Sequence, residues 1–187
     1  MKNIDYETRT KCVVSGDENL ELLSSEKYPL FCGCTEEVQS EDIIADMNFC
    51  ISKNSGVIQL QKLIPLNLLY ANGHDAGSVG AIWQEHHKQF ARFVMQYKPK
   101  KILEIGGGHG KLALECLKLD ENLNYTILEP NSNYKHEKIS YIDAFFSKDL
   151  VADKNFDTIV HSHTFEHIYN PHEFLEELSS TLTGGGI

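Results

Sequence analysis

The sequence predicts an α/β protein: a parallel sheet covered by helices, preceded by a small, irregular, β-rich lobe. Three observations carry this reading. From residue 101 onward, short apolar strands alternate with amphipathic helical segments. A run of glycines, Gly106-Gly107-Gly108-His109-Gly110, stands where one of those strands gives way to a helix. Before residue 67 the texture is different, with short strand-like pieces, turn formers and four of the chain's five cysteines.

The first part, 1–66, contains Glu21-Leu22-Leu23 and Val57-Ile58-Gln59-Leu60 as strand pieces, with turns at Ser15-Gly16-Asp17 and Asn54-Ser55-Gly56. The second part, 67–187, opens on a glycine-bearing loop from Tyr70 to Gly77. Val79, Trp83, Phe90, Val94 and Tyr97 then recur at helical spacing and predict one long amphipathic helix, closed by Pro99. His86 and His87 are expected on its solvent face. Next come a strand at Lys101–Ile105, a helix at Lys111–Leu119 and strands at Tyr125–Leu128, Ile139–Ile142 and Thr158–His161. A last helix starts with Asn170 as N-cap, Pro171 at N1 and Glu173 at N3, and its apolar face is Phe174, Leu175, Leu178 and Leu182. Strands alternating with helices imply parallel pairing with both faces covered. The sequence ends at Gly184-Gly185-Gly186-Ile187, where a complete doubly wound sheet would need further strands, so the sheet reads as truncated.

Composition bounds the function. A formal net charge of −10 over 187 residues argues against a nucleic-acid partner. The start has no apolar stretch resembling a secretory signal, and no run of roughly eighteen apolar residues would span a membrane. The expectation is a cytoplasmic protein with a small-molecule partner, and a homodimer is compatible with it. In that setting the cysteines read as thiols or metal ligands rather than disulfides.

The glycine run decides between two chemistries. A dinucleotide fingerprint needs glycine at its first, third and sixth positions, but Lys111 occupies the sixth position counted from Gly106. The pattern acidic-x-Gly-x-Gly-x-Gly instead fits throughout, at Glu104, Gly106, Gly108 and Gly110. Here the sequence resembles motif I of the class I S-adenosylmethionine-dependent methyltransferases. The resemblance implies a Rossmann-like sheet and S-adenosylmethionine as cofactor. A carboxylate at the strand end suits a ligand that carries an ammonium and a sulfonium but no pyrophosphate. Glu129 ends the next strand, where a carboxylate can accept from both ribose hydroxyls. By the same resemblance, Asp143 sits where the adenine amino group is contacted; a turn aspartate is the competing reading.

The segment Phe156 to Ile168 resembles that superfamily's fourth-strand region, in which an aspartate opens the strand and Glu-His-Ile follows it. The resemblance puts Ser162 and His163 beside the methionine end of the cofactor and His167 toward the methyl acceptor. A histidine there can take a proton as transfer develops. Two other readings stay open: His161 and His163 as a metal pair sharing one strand face, or His167 as a residue that merely caps and packs.

The first part resembles, in degenerate form, the zinc-binding lobe of sugar C-methyltransferases from antibiotic and surface-polysaccharide pathways. Their two Cys-x-x-Cys-Gly motifs are matched by Cys12-Val13-Val14-Ser15-Gly16 and by the stretch from Cys50 through Ser55-Gly56 to Leu60. Each keeps its first cysteine and lacks the second. Zinc held by Cys12, Cys32, Cys34 and Cys50 therefore competes with burial of reduced thiols, while Cys116 is expected in the core. In that subfamily a tyrosine loop precedes the long helix and reaches the active site, which makes Tyr70 a candidate acid/base or substrate contact, with His74 second. The implied function is methyl transfer to a small polar acceptor, a nucleotide-linked sugar or surface-glycan precursor. The alternative is a truncated, catalytically inactive cofactor-binding module.

Overall fold

Apolar strands bounded by Pro99 and a glycine turn must bury both faces, and they do so in a four-stranded parallel sheet. A computed structural model describes residues 4–30, 42–70, 80–132 and 134–187. Chain contacts divide it into two compact units, 1–72 with 169–172, and 73–168 with 173–187.

In the smaller unit, β1 (Glu7–Thr8), β2 (Leu20–Pro29), β3 (Ile44–Ser52), β4 (Ile58–Leu60) and β5 (Lys62–Leu63) precede a short helix, α1 (Leu66–Leu69). β2 and β3 form a long antiparallel hairpin from Leu20↔Ser52 to Pro29↔Ile44, and β4 adds to the far side of β3. β1 pairs antiparallel with β5. The turns expected at Ser15–Asp17 and Asn54–Gly56 are both present, and Gly16 and Gly56 take left-handed φ of 73° and 74°. Tyr169 belongs to this unit; its hydroxyl donates to the Ile64 carbonyl at 2.7 Å and its own carbonyl accepts from Arg9 at 2.6 Å.

The larger unit runs α2 (Ala81–Met95), β6 (Lys101–Ile105), α3 (Lys111–Leu119), β7 (Asn124–Leu128), β8 (Ile139–Ile142), β9 (Thr158–His161) and, from residue 173 onward, α4 (Pro171–Thr181). The sheet order is β8-β7-β6-β9, all parallel. One face of the sheet, including Ile102, Tyr125, Ile127 and Val160, packs with Ala91 and Val94 of α2 and Leu112, Ala113 and Cys116 of α3. On the other face Leu103, Ile105 and Leu128 meet Phe156 and, from α4, Phe174 and Leu178. Cys116 is in the core as expected. Both helical stripes are narrower than the sequence pattern suggests, since Tyr97 and Leu175 are exposed. Asp157 ties β9 to its neighbour, its carboxylate accepting from the amides of Lys100 and Lys101. No helix among the described residues is long and apolar enough to cross a membrane.

Candidate functional site

Parallel register decides what shares the sheet's edge. Ile105 pairs with Leu128 and His161, and Leu128 pairs with Ile142. The next residue on each strand is therefore Gly106, Glu129, Asp143 or Ser162, four residues in one row at the carboxyl end of the strands. That edge is where open α/β sheets bind ligands.

The turn after β6 depends on glycine for two distinct reasons. Gly106, Gly108 and Gly110 have φ of 74°, 48° and 67°, a region that disfavours any residue with a Cβ. Gly106 is also crowded: a Cβ there would lie 2.4 Å from Oγ1 of Thr164. A Cβ on Gly107 would meet Ile127 at 2.8 Å and the Glu104 carboxyl carbon at 2.9 Å, so β7 and Glu104 support the turn from below. Among the described residues, no atom would come within 4 Å of a Cβ on Gly108, so the backbone there borders open space. Gly106 N–H donates to the Leu128 carbonyl at 2.9 Å and Gly110 N–H to Gly107 at 2.8 Å.

The carboxylates in and beneath the row differ in their surroundings. Glu104, one residue inside the strand end, is buried and accepts a 3.0 Å hydrogen bond from the Tyr125 hydroxyl. Burial pushes its carboxyl up to about 7; the Tyr125 bond opposes this and the nearby Glu129 charge adds to it. Glu129 is half-buried and accepts from the Asn131 amide at 3.1 Å. Asp143 is exposed and pairs with Lys135 at 2.7 Å.

After β9 the chain turns sharply. His163 has φ of 54°, a left-handed conformation in a non-glycine residue. The turn is held by Thr164, whose hydroxyl bonds to the Ile105 and Ser162 carbonyls at 3.1 and 3.3 Å. Ser162 Oγ lies 3.0 Å from Nε2 of His86. The His163 ring packs on Trp83, with centroids 4.7 Å apart, and beside His86 at 5.6 Å. His86 and His87 are thus half-buried rather than facing solvent, because the first half of α2 lies against the turn after β9. Burial lowers the His86 pKa, and the neighbouring His87 and His163 lower it further. His161 does not share the surroundings of His163: its ring stacks against Phe165 and meets Phe174 edge-on, and burial depresses its pKa. The bend at His163 breaks the strand periodicity on which a metal pair depends. His167 ends an exposed 3₁₀ turn, Phe165–His167.

Sequence reasoning does not place Thr164, His86 or Tyr125 at the site. Tyr125 had a readable signal, since a tyrosine in an apolar strand needs a partner for its hydroxyl. In the smaller unit, Tyr70 is half-buried at the end of α1; burial raises the Tyr169 pKa, and the nearby Tyr70 adds to it. His74, Cys32 and Cys34 lie outside the described residues, as does Val79. Cys12 and Cys50 are buried, and among the described residues no three His, Cys, Asp or Glu side chains converge as metal ligands.

Residues 81–187, more than half of the chain, match the family model of a methyltransferase domain. No curated protein matches the chain. Among solved structures, the chain is similar to the plantazolicin methyltransferase BpumL in complex with a monoazolic desmethylPZN analog and SAH. The identity there is 23%, over 54% of this chain and 42% of that one, with a TM-score of 0.44. It is also similar to the SAH-bound Podospora anserina methyltransferase PaMTH1, at 19% identity over 62% of this chain and 55% of that one, with a TM-score of 0.45. The chain thus spans roughly half the length of these two relatives, or less.

Proposed function

The chain belongs to the methyltransferase domain family, and from that premise we propose that its glycine turn holds S-adenosylmethionine for methyl transfer to a small polar acceptor. The observation that supports this most is the left-handed turn Gly106–Gly110, open at Gly108, beside the Glu129 carboxylate in the same edge row. The glycines let backbone approach a ligand closely. Glu129 would accept from ribose hydroxyls, and Asp143 would address the adenine amino group once Lys135 is displaced. Ser162 and His163, fixed by His86 and Trp83, would border the methionine end. Glu104 would act from beneath the turn, its carboxyl favoured in the charged form when a cation sits above it.

When bound, S-adenosylmethionine supplies an electrophilic methyl carbon for in-line displacement. His167, exposed after β9, would accept the proton lost by the acceptor, and Tyr70 would contact the acceptor. We assign the acceptor to nucleotide-linked sugars or surface-glycan precursors, because the lobe's two glycine-closed turns resemble those of sugar C-methyltransferases. The same reading places the protein in the cytoplasm and divides it into a lobe at 1–66 and a methyltransferase part at 67–187.

Transfer of labelled methyl groups to a panel of nucleotide-linked sugars tests the reaction. The expected result is incorporation into at least one sugar, reduced roughly 100-fold in His167→Ala with cofactor binding kept. Folded chain that binds cofactor yet labels no sugar would refute the acceptor assignment.

A further inference from the structure

Two turns of the smaller unit share one construction. In Cys12-Val13-Val14-Ser15-Gly16 and Ser52-Lys53-Asn54-Ser55-Gly56, the glycine N–H donates to the first residue's carbonyl, at 2.9 and 2.8 Å. The fourth residue's N–H donates to the first residue's side chain, Ser15 to Cys12 Sγ at 3.5 Å and Ser55 to Ser52 Oγ at 3.2 Å. The two glycines have nearly identical φ, 73° and 74°. This equivalence puts Ser52, not Cys50, at the head of the second turn. Cys50 lies two residues earlier in β3, its thiol 3.6 Å from the Gln59 carbonyl.

Donors at the first and fourth positions of two such turns are what structural zinc requires, four ligands converging tetrahedrally. Here the four corners are Cys12, Ser15, Ser52 and Ser55. One thiol and three neutral hydroxyls do not suit the ion, which takes thiolate, imidazole or carboxylate. The corners are joined in another way. Cys12 Sγ lies 3.3 Å from Ser55 Oγ. Ser52 Oγ donates to Oδ2 of Asp17 at 3.0 Å, and Ser15 Oγ donates to the same oxygen. With the two amide bonds inside the turns, the ring closes through all four corners and Asp17.

We propose that this ring of hydrogen bonds, centred on the Asp17 carboxylate, takes the place of a metal ion in closing the lobe, while its four corners keep the arrangement of a metal site. The carboxylate makes two charge-assisted bonds to hydroxyls and a third to the Asn19 amide at 3.1 Å. Ser52 is fully buried, so its hydroxyl needs the partner that Asp17 provides. Small lobes need a staple, and a satisfied polar network can serve where a metal does not.

Metal analysis of the full chain grown with added zinc, together with thermal unfolding with and without EDTA, tests this. The wild-type chain should carry no zinc above background and unfold at the same temperature with chelator. The S15C/S52C/S55C chain should take up one zinc per chain and become sensitive to EDTA. Asp17→Ala should unfold roughly 5 °C lower or more, with or without chelator. One zinc per wild-type chain, lost in Cys12→Ser, would overturn the proposal. So would a folded S15C/S52C/S55C chain that binds none. If that variant does not fold, an Asp17→Ala chain as stable as wild type would overturn the proposal instead.

Discussion

At the scale of single residues, the glycine turn separates conformational strain from crowding. Gly106→Ala meets both a left-handed φ and the pinned Thr164 hydroxyl, and is expected to cost about 2 kcal/mol or more. Gly108→Ala meets only the backbone strain and should cost about 1 kcal/mol. Urea unfolding of the two variants measures the difference. Glu104 makes a second prediction. Its folded-state carboxyl titrates near 7 against an ordinary 4.5, so the folded protein holds a proton that the unfolded chain has already released. Its stabilising share is complete below about pH 4.5 and is lost as pH rises through about 7, a change on the order of 3 kcal/mol. Stability curves of wild type and Glu104→Gln between pH 5 and 8 should diverge by that order, the variant lacking this slope. The spacing of acidic residue and glycines was readable in the sequence because it is local. Thr164 was not, because its contact with Ile105 spans 59 positions and exists only once β9 lies beside β6.

At the scale of elements, strand and helix alternation was legible because each segment carries its own apolar period and stops at proline, glycine or a cap. β6, α3, β8 and β9 match their expected limits, and β7 begins one residue earlier. Leu112 shows how α3 earns its place: it is buried against the sheet, and Leu112→Ala should cost about 2–5 kcal/mol in chemical denaturation without changing helix content. Polar burial was less legible. Periodicity assigned His86 and His87 to water, since hydropathy treats histidine as a surface residue. In the fold, the N-terminal half of α2 faces strand ends, and there Ser162 and the His163 ring give His86 partners. In the smaller unit, the cysteines drew attention to Cys50, whereas backbone hydrogen bonding identifies Ser52 as the equivalent of Cys12. A serine in that role carries no signal in composition.

For the whole molecule, the parallel register turns four separate strand ends into one edge, and this joint placement supports a ligand site more than any motif alone. The order β8-β7-β6-β9 was not written in the sequence, although the expected parallel pairing holds. It arises because β9 joins β6 on the side opposite β7, which brings the turn at Thr164 over Gly106. The most direct test of the site is calorimetric titration of the full chain with S-adenosylhomocysteine, alongside Glu129→Ala. The expected result is saturable one-to-one binding by wild type, weakened at least tenfold, about 1.4 kcal/mol, in a Glu129→Ala chain that remains folded. Folded wild-type protein that takes up no S-adenosylhomocysteine, or a Glu129→Ala chain that binds it equally well, would contradict this assignment of the glycine turn and its neighbouring carboxylate.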